Sequence, residues 1–224
     1  MKIMFCGKIG SGKTFASLLI QTQYDDVQKF AFADPIKDFL AFTYCKYMNV
    51  DQASLEKLQK VKNKLFVTNK EGVIPFTDKA LLTRCIRLAC MEYDIHVKHA
   101  EGLAKLIHGS KTSREIMQLT GTEWGRKQID EGIWIRLLSE SIGEANHFVI
   151  DDVRFPNEHD WFTKTFEDGL VIKVETDKPA ASKHTGHESE QHYDSLPYDH
   201  LVLNNFDDKF GKSIIDVVSQ ASPG

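Results

Sequence analysis

The chain has 224 residues, a length that suits one domain or one domain carrying a sizeable insertion. Hydrophobic residues make up 42% of it and charged residues 27%, which excludes a disordered chain and allows a buried core without disulfides. The formal net charge of −4 excludes a general basic field, so we expect no nucleic acid polymer and no membrane among its partners.

The cysteines and the N-terminus indicate a compartment. Neither a CxxC pair nor a metal-ligand spacing occurs among Cys6, Cys45, Cys85 and Cys90. This pattern is typical of small buried hydrophobic residues in a reducing compartment. The N-terminal apolar run is too short for a signal peptide, and no apolar stretch approaches the roughly 20 residues that cross a bilayer. A cytoplasmic protein is therefore predicted.

Strand and helix patterns alternate along the chain. Strands are predicted at residues 2–6, 28–33, 147–150, 170–174 and 200–203. Helices are predicted after the first strand and at residues 36–48, 79–93, 100–107, 157–165 and 207–219. Thr112 and Glu115 form a capping-box pattern that opens a further helix, ended by Gly121, with shorter helical pieces up to residue 143. Residues 69–78 are predicted to be a loop.

This order of elements predicts the fold class. Strand–helix alternation on both sides of a helical block is typical of an α/β fold with a parallel β-sheet flanked by helices. We expect one domain, with a core of about residues 1–33 and 145–224 and a helical insertion of about 34–144. Within the insertion, a helix near residue 60 carries Lys57, Lys60, Lys62 and Lys64. A solvated helix face is the simpler interpretation of these lysines, and an anion-binding patch is the alternative.

The segment after the first strand carries the strongest motif. Residues 7–14, GKIGSGKT, match G-x-x-x-x-G-K-[ST] at every fixed position. Glycines allow successive backbone N–H groups to converge on one phosphate, and the following helix presents its positive end to the same anion. The sequence therefore predicts a P-loop for ATP with Mg²⁺, held by Gly7, Gly10, Ser11, Gly12, Lys13 and Thr14. Lys13 is expected to reach the β- and γ-phosphates and the Thr14 hydroxyl to bind Mg²⁺.

Carboxylates follow two of the predicted strands. Asp151 and Asp152 are candidate metal ligands, and because a strand alternates its faces only one of them should point at the metal. Asp34, after the second strand, can approach the γ-phosphate from the acceptor side. Its alternative role is a helix N-cap before Pro35.

Arginines in polar settings suggest an acceptor that is itself phosphorylated. Phosphoryl transfer between two phosphate-bearing molecules needs many positive charges. Arg114 and Gln118 lie four residues apart and should share a helix face, where a guanidinium and an amide could hold a phosphate and a base edge. Arg126 and Arg154 are further candidates. Arg154 has a simpler alternative, a surface ion pair with Glu158 at i+4.

Four further runs are distinctive: residues 32–37 (FADPIK), 114–126 (REIMQLTGTEWGR), 151–158 (DDVRFPNE) and 187–190 (HESE). In sequence and in order they resemble phage deoxynucleoside monophosphate kinases. Asp-Val-Arg-Phe-Pro-Asn-Glu is not a general P-loop feature, whereas residues 45–110 carry no part of the resemblance. The resemblance implies an adenylate-kinase-like core and the reaction dNMP + ATP → dNDP + ADP.

The resemblance also implies roles for individual residues. The deoxynucleotide site would be lined by Arg114, Gln118, Gly121, Thr122 and Trp134. Where the two nucleotides meet, it implies Asp152, Arg154 and Glu158. Lys37, in the first run, would contact substrate, and Asn205 would mark the place that holds adenine. With the P-loop, this gives a predicted catalytic set of Lys13, Asp34, Arg114, Asp152 and Arg154.

Several alternatives stay open at this point. Trp134 stacks on a base or belongs to the core, and the polar, histidine-rich residues 176–197 form a lid over ATP or an inert loop. Their spacing fits no standard zinc site. A P-loop ATPase that drives an assembly step is the rival class. A kinase for a nucleoside, an NMP or dephospho-coenzyme A is the rival substrate, and a homodimer is the usual expectation for such an enzyme.

Overall fold

The computed structural model describes residues 1–50, 55–177 and 195–221. Its regular elements follow one another as β1 (Lys2–Cys6), α1 (Lys13–Gln23), β2 (Gln28–Phe30), α2 (Asp34–Tyr47), α3 (Leu55–Val61), β3 (Val73–Phe76), α4 (Lys79–Glu92), α5 (Ala100–Ile107), β4 (Gly109–Thr112), α6 (Ser113–Gln118), α7 (Ile133–Ile142), β5 (Phe148–Ile150), α8 (Pro156–Thr165), β6 (Leu170–Glu175), β7 (His200–Leu203) and α9 (Asp208–Ala221). Wider, π-helical turns continue α3 as Lys62–Thr68 and α6 as Leu119–Ile129.

The chain divides into two compact units. The first unit comprises Met1–Phe32 and Ser139–Gly224, and the second unit comprises Ala33–Leu138. In the described residues, no helix has the length and apolar character that crossing a membrane demands. The predicted lid, residues 176–197, falls almost wholly on 178–194, outside the described residues.

A parallel sheet forms the centre of the first unit. Its strand order is β2-β5-β1-β6-β7, and each neighbouring pair is parallel. Helices α1 and α9 pack on one face through a core of Ile3, Phe5, Ala16, Ile20, Val149, Ile172, Val174, Phe210, Ile214 and Val218. The predicted α/β fold with a parallel sheet flanked by helices is confirmed. The chain continues from β1 to β2 and β5 on one side of β1 and then to β6 and β7 on the other side. The carboxyl end of β1 therefore lies where the strand order reverses, which is where open α/β sheets bind ligands.

The second predicted strand is shorter than expected. We predicted residues 28–33, but β2 ends at Phe30. The reason is a side chain: the Phe32 N–H donates to Asp152 Oδ1 at 2.7 Å rather than to a neighbouring strand. Ala31 and Phe32 are nevertheless buried, which explains their apolar character.

The second unit is mainly helical and has its own hydrophobic core. Aromatic rings dominate it, with Trp124 lying 5.3 Å from Phe39 and 6.4 Å from Trp134 between ring centroids. The predicted loop 69–78 was wrong in part, because β3 lies within it and pairs antiparallel with β4. The partner strand is more than thirty residues away in sequence, so no local pattern indicates it.

Gly121 was also assigned wrongly as the end of a helix. The helical path continues through Leu119–Ile129, and Gly121 lies inside it. A Cβ at this position would come within 2.9 Å of Ile36 Cδ1. The glycine therefore permits close packing and does not terminate the helix.

Candidate active site

The loop between β1 and α1 has the backbone of a phosphate cradle. Gly7, Gly10 and Gly12 adopt φ values of 132°, 78° and 105°, all in a region that side chains disfavour. A Cβ on Gly7 would lie 2.2 Å from the Val174 carbonyl oxygen, so β6 leaves no room for one. α1 begins directly after Gly12, which places the positive end of the helix at this loop.

Lys13 lies over this loop. Its Nζ donates to the carbonyl oxygens of Gly7 and Lys8, each at 2.7 Å. Burial of the amine, and next the charge of Arg154, lower the pKa of Lys13 to about 8, whereas Asp151 and Asp152 act in the opposite direction. The first unit therefore brings together Lys13, Arg154 and both aspartates, as a site for a polyanion requires.

The two aspartates after β5 have different surroundings. Asp151 is 5% exposed, and Lys29 Nζ lies 2.7 Å from its Oδ2 in an ion pair. This buried oxygen accepts no hydrogen bond from the described residues, so the ion pair with Lys29 is the contact that the structure gives it. Asp152 instead anchors Phe32 through Oδ1.

Two hydroxyls of the loop complete this half of the site. Ser11 is fully buried, and its Oγ makes no hydrogen bond to the described residues. Thr14, in the first turn of α1, is exposed. Mg²⁺ in nucleotide enzymes is held by one or two carboxylates, a hydroxyl and phosphate oxygens. The exposed Thr14 and the Asp151 carboxylate, whose Oδ2 accepts no hydrogen bond from the described residues, fit that donor set.

Glu158 serves the loop that carries Arg154. Its carboxylate Oε2 accepts from the backbone N–H of Arg154 at 2.8 Å and of Phe155 at 3.1 Å. Glu158 is 4% exposed, so it holds the turn at the start of α8 from inside. The Arg154 side chain is exposed. The structure thus gives Glu158 a supporting position and leaves Arg154 facing solvent.

The second unit carries the predicted acceptor residues. Arg114 and Gln118 both lie on α6, whose start is fixed by the predicted capping box: Thr112 N–H donates to Glu115 Oε2 at 2.7 Å, and the Glu115 N–H donates to Thr112 Oγ1 at 3.2 Å. That prediction is confirmed. Arg114 Nε donates to Glu71 Oε1 at 2.7 Å, so the guanidinium is held while its side chain stays partly exposed.

The other acceptor candidates of this unit differ in exposure. Arg126 is partly buried, and Thr122 is buried in the π-helical segment after α6. Trp134 is 2% exposed, and its Nε1 donates to the Gly121 carbonyl oxygen at 2.8 Å. Trp134 therefore packs in the core, as the plainer interpretation of the sequence had it, and offers no exposed face for a base here.

Lys62 stands apart from its neighbouring lysines, and sequence reasoning did not single it out. Lys57, Lys60 and Lys64 are exposed, whereas the Lys62 side chain is only 12% exposed. Its Nζ lies 2.8 Å from Asp38 and 3.9 Å from Asp34.

Asp34 is the first residue of α2, but it does not cap this helix, because Ala33 takes the N-cap position. Lys37 Nζ lies 2.9 Å from its carboxylate. Asp34 is thus flanked by two lysines.

The structure draws attention to Asn204 rather than its neighbour. Asn205, which we predicted to mark the adenine site, is exposed. Asn204 is 4% exposed, and its Nδ2 donates to the Ser11 carbonyl oxygen at 2.8 Å. The sequence alone could not separate the two residues, because its signal was a pair of asparagines after a predicted strand.

The fold and the loop together define a P-loop protein, whose glycine loop follows the carboxyl end of the central strand. Comparison with known proteins agrees: the model of the family described as deoxynucleotide monophosphate kinase matches residues 2–210. The deoxynucleoside-5'-monophosphate kinase of Escherichia phage T5 is 29% identical over 233 residues, covering 90% of this chain and 88% of that protein. The chain belongs to the deoxynucleotide monophosphate kinase family and is a nucleotide kinase. The resemblance seen in the four sequence runs is confirmed.

Proposed function

We propose that this kinase transfers the γ-phosphoryl group of ATP, bound with Mg²⁺, to a deoxynucleoside monophosphate. An oxygen of the acceptor phosphate forms a bond to the γ-phosphorus, and the bond from that phosphorus to the β,γ-bridging oxygen breaks. ADP leaves with the electron pair, and a deoxynucleoside diphosphate is formed. The observation that carries the donor side is the glycine loop with Lys13 directed over it.

The donor half of the site supplies positive charge. In the free enzyme the positive charge of Arg154 already acts on Lys13 and lowers the pKa of its amine. A triphosphate relieves this repulsion, and the charge that develops in phosphoryl transfer does so further. Mg²⁺ would be held by Thr14 with Asp151 or Asp152, and when bound it neutralises phosphate charge. We assign the base side of ATP to the turn at Asn205.

The acceptor residues are proposed on the second unit. Arg114 and Arg126 would bind the monophosphate, and Gln118 with Thr122 would contact the nucleoside. Gly121 and Trp134 shape the wall behind them, since the indole N–H is bonded to the Gly121 carbonyl. We assign Asp34 and Lys37 to the approach of the acceptor phosphate, and Glu158 to holding the Arg154 loop.

The setting of the reaction follows from its substrates. Nucleotides are small molecules of the cytoplasm, so we propose that the enzyme works there, in the host cell if a phage encodes it. Neither a nucleic acid polymer nor a membrane is part of the proposal. We expect a homodimer, because two-fold dimers are the commonest soluble oligomers.

The first test measures ADP release with Mg²⁺ and ATP against a panel of acceptors. The panel contains the four dNMPs, the four NMPs, nucleosides and dephospho-coenzyme A. We expect strong stimulation by one or more dNMPs, with dNDP formed in an amount equal to ADP. ADP release that ignores every acceptor would instead identify an ATPase and end the proposal.

Lys13→Ala tests the donor side in the same assay. Because Lys13 serves the transferring charge and not the hydrophobic core, the variant should fold while kcat falls about 100-fold or more. Lys212→Ala, on the exposed part of α9, is the matched control and should keep wild-type turnover. Full activity of Lys13→Ala would remove the phosphate loop from the reaction.

A further inference from the structure

We propose that Asn204 is a positioning residue for the phosphate loop, through a side-chain hydrogen bond that fixes the peptide between Ser11 and Gly12. The inference rests on the proposed donor site, since it concerns how that site holds a polyphosphate. Asn204 directly follows β7, and because β7 and β1 run parallel, it lies at the carboxyl ends of the strands, as the phosphate loop does.

Asn204 uses both ends of its amide. Nδ2 donates to the Ser11 carbonyl oxygen at 2.8 Å, and Oδ1 accepts from the Phe206 N–H, also at 2.8 Å. Its own backbone N–H donates to the Glu175 carbonyl oxygen at 2.7 Å, which secures the residue to β6. With 4% of the residue exposed, water does not compete for these bonds. Only a side chain that both donates and accepts can make this connection.

The bond to Ser11 has a consequence for the next residue. A trans peptide is planar, so the Gly12 N–H points opposite to the Ser11 carbonyl. Holding the carbonyl therefore fixes the direction of the Gly12 N–H, one of the amides of the loop. The peptide lies between Gly10 and Gly12, with φ values of 78° and 105°, and glycine by itself restrains neither.

Packing restrains the same peptide a second time. A Cβ on Gly12 would lie 2.3 Å from Asn204 Nδ2, so the amide occupies the space that a side chain at position 12 would need. The asparagine thus contacts the loop by a hydrogen bond and by close packing. A loop without these contacts would have to be ordered by the ligand itself, at a cost in affinity.

The decisive variant is Asn204→Asp. It keeps the size of the side chain and an oxygen for the Phe206 N–H, but it turns an oxygen towards the Ser11 carbonyl where Nδ2 donated. Binding is measured directly, by calorimetry with ATP and separately with inorganic tripolyphosphate. Tripolyphosphate has no base, so it reports on the phosphate loop and not on the turn at Asn205.

We expect both ligands to bind about tenfold more weakly to Asn204→Asp, because a buried hydrogen bond is replaced by repulsion. The affinity for a dNMP in the absence of ATP should not change. Val202→Ala is the matched control: it opens a cavity in β7, lowers the melting temperature, and should leave both affinities at the wild-type value.

Asn204→Asp also places a negative charge near the phosphate loop, so the neutral variant Asn204→Ser is measured beside it. Its shorter hydroxyl cannot make both bonds, and we expect it to weaken the binding of both ligands as well. Four outcomes overturn the inference. They are unchanged affinities in Asn204→Asp, unchanged affinities in Asn204→Ser, weakening for ATP but not for tripolyphosphate, and an equal weakening in Val202→Ala. If Asn204→Asp does not fold, Asn204→Ser carries the test alone. A wild-type protein that binds neither ATP nor tripolyphosphate contradicts the proposed donor site itself, which separates the two failures.

Discussion

At the scale of single residues, Lys13 loses its proton at a lower pH in the folded protein than an ordinary lysine does. Burial and the neighbouring Arg154 lower the pKa of its amine to about 8. Between this value and the ordinary 10.5, the unfolded chain binds more protons at this residue than the folded protein. In that window, stability from this group rises with pH. A bound polyphosphate supplies negative charge and raises the pKa again.

Nucleotide binding should therefore take up a proton. At about pH 9, Lys13 is largely neutral in the free enzyme and protonated in the complex, so we expect ATP affinity to fall as pH rises above 8. Calorimetry in two buffers of different ionisation enthalpy measures the uptake. Lys13→Met, which has a similar volume and no charge, is the control, and the same proton uptake in this variant would contradict the assignment.

Arg114 is the residue on which the acceptor site depends most. Its guanidinium is held in place by Glu71, and because the side chain remains partly exposed, a phosphate from solvent can reach it. Arg114→Ala should raise KM for the dNMP about tenfold, as expected for the loss of a charge-assisted hydrogen bond, and leave KM for ATP unchanged. Steady-state kinetics check this. Arg87→Ala removes the same charge from an exposed position of α4 and should change neither constant. An effect equal to that of Arg114→Ala would mean that the overall charge of the protein, and not the acceptor site, sets KM for the dNMP.

At the scale of secondary-structure elements, α6 depends on its capping box. The helix has only six regular residues, so an unsatisfied first turn would weigh heavily. Hydrogen bonds from the Thr112 N–H and then its hydroxyl lower the pKa of Glu115 below 4.5. The stabilisation from this carboxylate is complete above that value and is lost as pH falls through the folded-state pKa.

Thr112→Ala tests the contribution of this box. Loss of an N-cap hydroxyl costs about 1 kcal/mol of unfolding free energy, measured by urea denaturation. Thr83→Ala is the control, because the Thr83 hydroxyl donates to the Lys79 carbonyl within its own helix, α4, and alanine is a better helix former. An equal loss in both variants would mean that the capping box adds nothing specific.

At the scale of the whole molecule, each of the two units has its own hydrophobic core and its own proposed ligand. The first core contains residues of β1, β5, β6, β7, α1 and α9, and the second is built around Trp124 and Trp134. A ligand bound by one unit should therefore slow amide hydrogen exchange mainly in segments of that unit.

Hydrogen exchange followed by mass spectrometry checks this division. A non-hydrolysable ATP analogue with Mg²⁺ should protect residues 7–14 of the first unit, since its phosphates bind the loop amides. A dNMP alone should protect residues 113–126 of the second unit. Residues 79–92, in α4, carry no proposed contact and are the internal reference. Protection of 113–126 by the ATP analogue alone, with none at 7–14, would reverse the assignment of donor and acceptor.

Two predicted features depended on sequence neighbours alone, and both could be found without a structure. The phosphate-loop motif and the capping box are each specified within eight consecutive residues, since backbone conformation and local hydrogen bonds set their geometry. The alternation of apolar runs and helical periods likewise gave the fold class, because a parallel sheet requires crossover helices. The run 151–158 could likewise be assigned to a family without a structure, because its eight residues are consecutive in sequence.

Only the tertiary structure decided which of several residues of the same type contacts a partner that is distant in sequence. Asn204 and Asn205 are the same residue type after the same strand, and only the fold turns the first towards Ser11. Lys62 differs from three neighbouring lysines only because Asp34 and Asp38 of α2 lie beside it. Gly121 packs against Ile36 and does not end its helix, and β3 needs a partner strand from far along the chain. Each of these depends on contacts between residues remote in sequence, which the folding of the whole chain creates and no local pattern encodes.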